Sequence, residues 1–229
     1  VDLLAATVAN ARMTLVSGKQ IENLTIKEMI KKLSTTQSDY IEKRIQAGVI
    51  EGKAIRDIVT DIMPQLSRRL QRNVETVTRT AVSAIGAESR KAFYQANDDV
   101  IAGEEYTATL DGRTRPEHAA LDGNIYKVGE GPSTPNGYNC RCVRIPVIDE
   151  KYKIPGLTGE RASSKGPVSA NLTYDGWLRK QPQEVQDNVL GLERAKLFRD
   201  GMSIKKFVDD RGVLYDLDQL KAMESITLI

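Results

Sequence analysis

Residues 106–145 read YTATLDGRTRPEHAALDGNIYKVGEGPSTPNGYNCRCVRI, and the order of chemistry within them decides the fold. Tyr106, Thr107, Thr109 and Leu110 favour extended backbone, and Asp111-Gly112 and Asp122-Gly123 are turn starters. Between those turns, Arg115 to Leu121 fits a short helix with Pro116 in its first turn and Gly123 beyond its end. His118, the single histidine, is then carried on a rigid turn. Ile125 to Val128 and Arg141 to Ile148 read as two further strands, and Pro146 confines the second to a sheet edge or ends it early. Gly129 to Asn139 is too rich in Gly, Pro and Asn to be regular structure.

Cys140 and Cys142 are one residue apart, so a strand would turn both thiols to one face and Arg141 to the other. That spacing disfavours a mutual disulfide, whose Cβ atoms need to approach to about 3.8 Å. With His118 the pair supplies three zinc ligands, leaving Asp111 or water as a fourth. The competing reading makes the cysteines small buried hydrophobes, with His118 hydrogen-bonded to a backbone carbonyl or carboxylate. The sequence favours the second, because structural zinc sites normally show four ligands and three can be named. Asp111, Arg113 and Arg115 read as residues that pin a turn rather than as an active site.

Upstream, apolar residues recur at helical spacing: Leu4, Val8, Ala11 and Leu15; Ile55, Ile58, Ile62 and Leu66; Val74, Val77, Ala81 and Ile85. Residues 1–98 therefore read as four or five helices, interrupted at Gly18, Gly52 and Pro64. These stripes read first as core packing, with more apolar surface than a short bundle hides. Downstream, 149–170 reads as a linker or arm. Residues 171–229 read as a C-terminal helical segment with Pro182 in a first turn, Val185, Val189 and Leu192 as its stripe and Gly201 at its end; Gly212 to Tyr215 reads as a short strand before a final helix at Leu217 to Met223. The fold class is α+β: a helical N-terminal half, a small antiparallel-strand module at 99–148 with short helices, and the C-terminal segment packing on it.

Composition bounds the function. Among 229 residues, 33 Lys and Arg nearly balance 31 Asp and Glu, which removes the broad basic footprint of a chain that mainly neutralises phosphates. Arg68, Arg69 and Arg72 form the one modest basic cluster on an expected helix. No apolar run approaches the length that spans a bilayer and no secretory signal opens the chain, so it reads as soluble and intracellular, with no membrane partner. Val1 in place of Met is expected of a portion of a longer product. No P-loop, HExxH, nucleophile-elbow or zinc-deaminase pattern is present, and the chain is not read as an enzyme.

The motif stretch resembles the phage Mu F-like minor head protein family. An aromatic residue and threonine lead into an Asp-x-Arg-Thr-x-x-x-His turn, then Leu-Asp-Gly, then a Pro-containing loop that ends in Cys-Arg-Cys. The matching residues are Tyr106, Thr109, Asp111, Arg113, Thr114, His118, Leu121, Asp122, Gly123, Pro135, Asn139, Cys140, Arg141 and Cys142. The helix with Arg79 and Thr80, running to Tyr94, and the segment with Trp177, Leu178, Gln181, Pro182, Gln186 and Gly191 are also similar to the family. Many members carry an extra histidine just before Cys-Arg-Cys, where this chain has Asn136-Gly137-Tyr138. The resemblance implies a structural protein in a few copies per virion, at the portal vertex or capsid interior, made in the host cytoplasm. Its implied partners are the portal protein, the major capsid or scaffolding protein, and packaged DNA, and its implied role is head assembly or DNA delivery. Residues 1–98 are the expected portal or capsid contact, so deleting 1–65 is expected to abolish incorporation into heads.

Overall fold

A computed structural model describes residues 6–8, 10–17, 20–32, 34–156 and 159–227. The protein is α+β and divides into two compact units, Val1–Asp98 with Pro132–Arg141, and Asp99–Gly131 with Cys142–Ile229.

In the first unit residues 6–8 and 10 are helical, with Val8 and Ala11 buried, and a hairpin follows where the first helix was expected to run on to Gly18. Strand β1 (Arg12–Ser17) pairs antiparallel with β2 (Gln20–Thr25), setting Met13 opposite Leu24 and Thr14 opposite Asn23. The expected all-helical 1–98 is corrected here. RMTLVS and QIENLT are two six-residue runs with β-branched residues in each, separated by Gly-Lys, which is a hairpin pattern that a 3.6-residue search overlooks. Leu4 and Gly18, the expected helix start and stop, lie outside the described residues, as does the side chain of Leu15.

Helix α1 (Ile26–Lys31) starts directly at the strand end because Thr25 and Glu28 form a capping box. The Glu28 amide donates to the Thr25 hydroxyl at 3.2 Å, and the Thr25 amide donates to the Glu28 carboxylate at 2.8 Å. Helices α2 (Ser38–Ile50), α3 (Ile55–Ile62) and α4 (Arg68–Gln95) follow. Pro64 lies in the 3₁₀ turn Met63–Gln65 between α3 and α4, where its missing amide costs no helical bond. The expected stripes at Ile58, Ile62, Leu66, Val74, Val77, Ala81 and Ile85 are buried, in one core with Met13, Met29, Ile30, Ile41 and Ile45. The surplus apolar surface read from the sequence is therefore largely consumed inside the unit. Residues 132–141 join this unit: Thr14 donates its amide to the Pro135 carbonyl at 3.1 Å, and Asn139 donates its amide to the Thr80 hydroxyl at 3.1 Å.

In the second unit the central strand β3 (Ile101–Thr107) pairs antiparallel with β4 (Ile125–Tyr126) on one side and β5 (Val143–Ile148) on the other. Pro146 lies on the edge strand β5, as its missing donor requires. Helix α5 (Pro116–Leu121) has Pro116 in its first turn, and Gly123 follows it at φ 76°, both as expected. Strand β5 begins at Val143, so Cys140 and Cys142 precede it instead of lying in it. Asn139 at φ 56° and the Cys140 amide, donating to the Gly137 carbonyl at 3.4 Å, keep the chain turning there.

The 149–170 stretch holds a hairpin of β6 (Glu160–Ser163) and β7 (Gly166–Ser169). The Ser164 amide joins it to the module by donating to the Leu110 carbonyl at 2.9 Å. Three short helices follow, α6 (Tyr174–Arg179), α7 (Gln183–Leu190) and α8 (Leu192–Arg199). Gly191 at φ 77° separates the last two, which leaves Val189 buried but Leu192 72% exposed and outside the expected stripe. The possible strand at Gly212 to Tyr215 is a single bridge, Val208 to Leu214, and α9 (Leu217–Thr227) follows it. Tyr106, Leu110, Tyr174, Phe198 and Phe207 are fully buried in this unit.

Candidate functional site

The Leu121-Asp122-Gly123 turn is organised around one carboxylate. Asp122 is 1% exposed; its Oδ1 accepts the Ala108 amide at 2.7 Å and its Oδ2 accepts the Tyr174 amide at 2.6 Å. Arg161 neutralises it, Nη2 donating to Oδ1 at 2.6 Å and Nη1 to Oδ2 at 3.1 Å. The same guanidinium donates to the carbonyls of Ala108 at 2.5 Å and Leu172 at 3.0 Å. One side chain thus ties the end of β3, the 160–169 hairpin and the start of α6. The Gly123 amide completes the turn by donating to the Tyr106 carbonyl at 2.8 Å. Arg161 is absent from the motif read in the sequence. Its signal lies in Glu160 to Ser163 and Pro167 to Ser169, short runs around the turn-type Ser164-Lys165-Gly166.

Asp111 holds the preceding turn. Its Oδ1 accepts the Arg113 amide at 3.0 Å and the Thr114 hydroxyl at 3.3 Å, while the Tyr174 hydroxyl donates to its main-chain carbonyl at 2.7 Å. The Arg113 guanidinium lies 3.6 Å from Asp111 and is 82% exposed. This arrangement suits pinning a loop.

A second buried ion pair was not read from the sequence. Glu104 and Arg144 meet at 2.9 Å with side chains 4% and 8% exposed. Arg144 also stacks 4.8 Å from the Tyr126 ring centroid and donates to the Glu130 carbonyl at 2.9 Å. Burial lowers the Arg144 pKa, and the Glu104 carboxylate opposes that shift. On the other face of β3, Glu105 is pushed up by burial and, secondarily, by the charge on Asp122.

His118, Cys140 and Cys142 are buried, and their ligand atoms all lie within 4.8 Å of one another. His118 Nδ1 is 3.4 Å from Cys142 Sγ, and its Nε2 is 3.2 Å from an Arg115 nitrogen and 4.0 Å from a Glu117 carboxylate oxygen. Cys140 stands two residues before Cys142, so the chain itself carries it to the pair. Neither cysteine is in a disulfide, and Arg141 between them is exposed. Asp111 is not among the grouped ligands.

This constellation coincides with a match to the family described as Phage Mu protein F like protein, over residues 39–145. That region belongs to the Mu F-like family. The chain is 38% identical over 94 residues to the putative capsid assembly protein F of Escherichia phage Mu, covering 39% of this chain and 20% of that protein. It is 26% identical over 204 residues to the Mu-like prophage FluMu F protein of Haemophilus influenzae, covering 83% and 48% respectively. An uncharacterized protein of the same bacterium is 26% identical over 133 residues, 56% of this chain and 29% of the relative. The chain thus spans about half the length of the FluMu relative and less of the other two. No solved structure matches the chain. The Mu F-like region runs from the start of α2 into β5 and takes in α4 and all of the quoted motif. Among the described residues, no helix is long and apolar enough to cross a membrane.

Proposed function

We propose that this Mu F-like chain is a structural component of the head of a tailed phage, acting in head assembly or DNA delivery from the portal vertex or capsid interior. The observation that carries the reading is the 38% identity to a protein named for capsid assembly. The buried polar residues of the motif support a scaffold role, since Asp111 and Asp122 spend their oxygens on backbone amides and on fixed turn or ion-pair partners. The portal protein and the major capsid or scaffolding protein are the partners this role requires, with packaged DNA as a further contact.

The test is genetic. A phage or prophage in which the gene is interrupted is expected to yield few DNA-filled heads, with yield restored by the gene in trans and the tagged chain cosedimenting with purified heads. Normal numbers of infectious, filled heads without the protein would overturn the proposal. Deleting 1–65 is the weaker test, because it removes Met13, Ile30, Ile41, Ile45, Ile58 and Ile62 from the core of the first unit.

A further inference from the structure

The structure points to a metal site that the proposed head role does not require: we propose that His118, Cys140 and Cys142 bind one zinc ion. With Zn–S near 2.3 Å and Zn–N near 2.05 Å, a tetrahedral centre sets N···S at about 3.5 Å. The His118 Nδ1 to Cys142 Sγ distance of 3.4 Å matches that edge. The 4.8 Å limit on the whole group leaves a movement of about 1 Å to bring every pair to a tetrahedral edge, within reach of a side-chain adjustment.

Charge and ligand type select the ion. Two thiolates cancel the two charges of zinc and a neutral imidazole adds none, so the burial that would exclude a bare cation accepts this cluster. Two sulfurs and one nitrogen suit a borderline-soft ion and disfavour calcium or magnesium, which take oxygen. Asp111 is committed to its own turn and does not reach the group, so the fourth position falls to water or another small ligand.

The Glu117 carboxylate, 4.0 Å from His118 Nε2, is placed to accept the imidazole N–H that would remain once Nδ1 is a ligand. Each thiol would release its proton to solvent on binding, two protons per zinc.

The full-length chain, reduced and stripped of metal, should be titrated with Co(II) and then Zn(II). Intense visible bands of tetrahedral cobalt and a sulfur-to-cobalt charge-transfer band are expected to saturate at about one ion per chain, and zinc should displace the cobalt. Cys140→Ser and Cys142→Ser are each expected to lose about half of the charge-transfer intensity, the double variant to lose all of it, and Asp111→Asn to keep it. Circular dichroism on each variant separates loss of ligand from loss of fold. If the wild-type chain, shown to be folded, gains no such bands at several equivalents of cobalt, the site does not exist; saturation unchanged in a folded double cysteine variant would equally overturn it. Either failure leaves the head-assembly reading standing.

Discussion

Arg161 grips Asp122 with both terminal nitrogens, at 2.6 and 3.1 Å, across 39 positions of sequence and with side chains 9% and 1% exposed. Removing one partner of a buried pair leaves an uncompensated charge, and the loss is about 3–5 kcal/mol. Arg161→Met is expected to destabilise by that amount in urea denaturation. Adding Asp122→Asn should cost less than the two single changes together, because the first change has already broken the pair. Additivity of the two within about 0.5 kcal/mol would show that they do not couple.

That pair also marks how far the sequence could be read. The turns at Asp111 and Asp122, the helix at 116–121 and the edge position of Pro146 follow from local chemistry, since Gly, Pro and Asp act over a few residues. Arg161 needed tertiary knowledge. Nothing near it in sequence says that a buried carboxylate awaits a cation, and the surrounding Gly, Ser and Lys read as a linker. Glu104 and Arg144 escaped for a related reason: each lies in an alternating strand, and the pairing register that brings them together is a long-range property. The hairpin at 12–25 escaped because Leu15 continues the helical spacing of Leu4, Val8 and Ala11.

Arg144 is asked for more than a charge. Its fork reaches both Glu104 and the Glu130 carbonyl while its plane lies over Tyr126. A lysine keeps the charge but not the planar fork or the stack. Arg144→Lys is therefore expected to lose about 1–3 kcal/mol, against the near-neutrality of most surface changes, with faster hydrogen exchange in the Glu130 loop. Unchanged thermal stability would show that the charge alone suffices.

Glu105 gives a pH-dependent prediction of defined sign. Burial raises its folded pKa, so the folded state holds the proton more tightly than the unfolded one. The stabilisation is present below the unfolded value and is lost as pH rises through the folded value. Glu105→Gln should therefore melt higher than wild type at pH 7 and lose that advantage below about pH 4. Melting curves at the two pH values check it, and a variant less stable at pH 7 would contradict the direction.

Two glycines of the first unit should respond to alanine with opposite signs. Gly48 lies on α2 where an added Cβ would stand 2.5 Å from Ile58 Cγ1 and 2.9 Å from its Cδ1, so α2 and α3 must separate or Ile58 must leave its rotamer. Ile58 is 1% exposed in a packed core, which leaves it little room, and Gly48→Ala is expected to cost about 1–3 kcal/mol. Gly86 lies inside the 28-residue helix α4, where the added methyl meets only the end of the Arg90 side chain at 3.4 Å. A flexible guanidinium can yield, and alanine restricts the unfolded chain and favours the helix, so Gly86→Ala should stabilise by up to about 1 kcal/mol. Denaturation of both variants in one buffer decides it: stabilisation by the first change or loss from the second would mean that the packing of α2 on α3, or the open face of α4 at Gly86, is not as described.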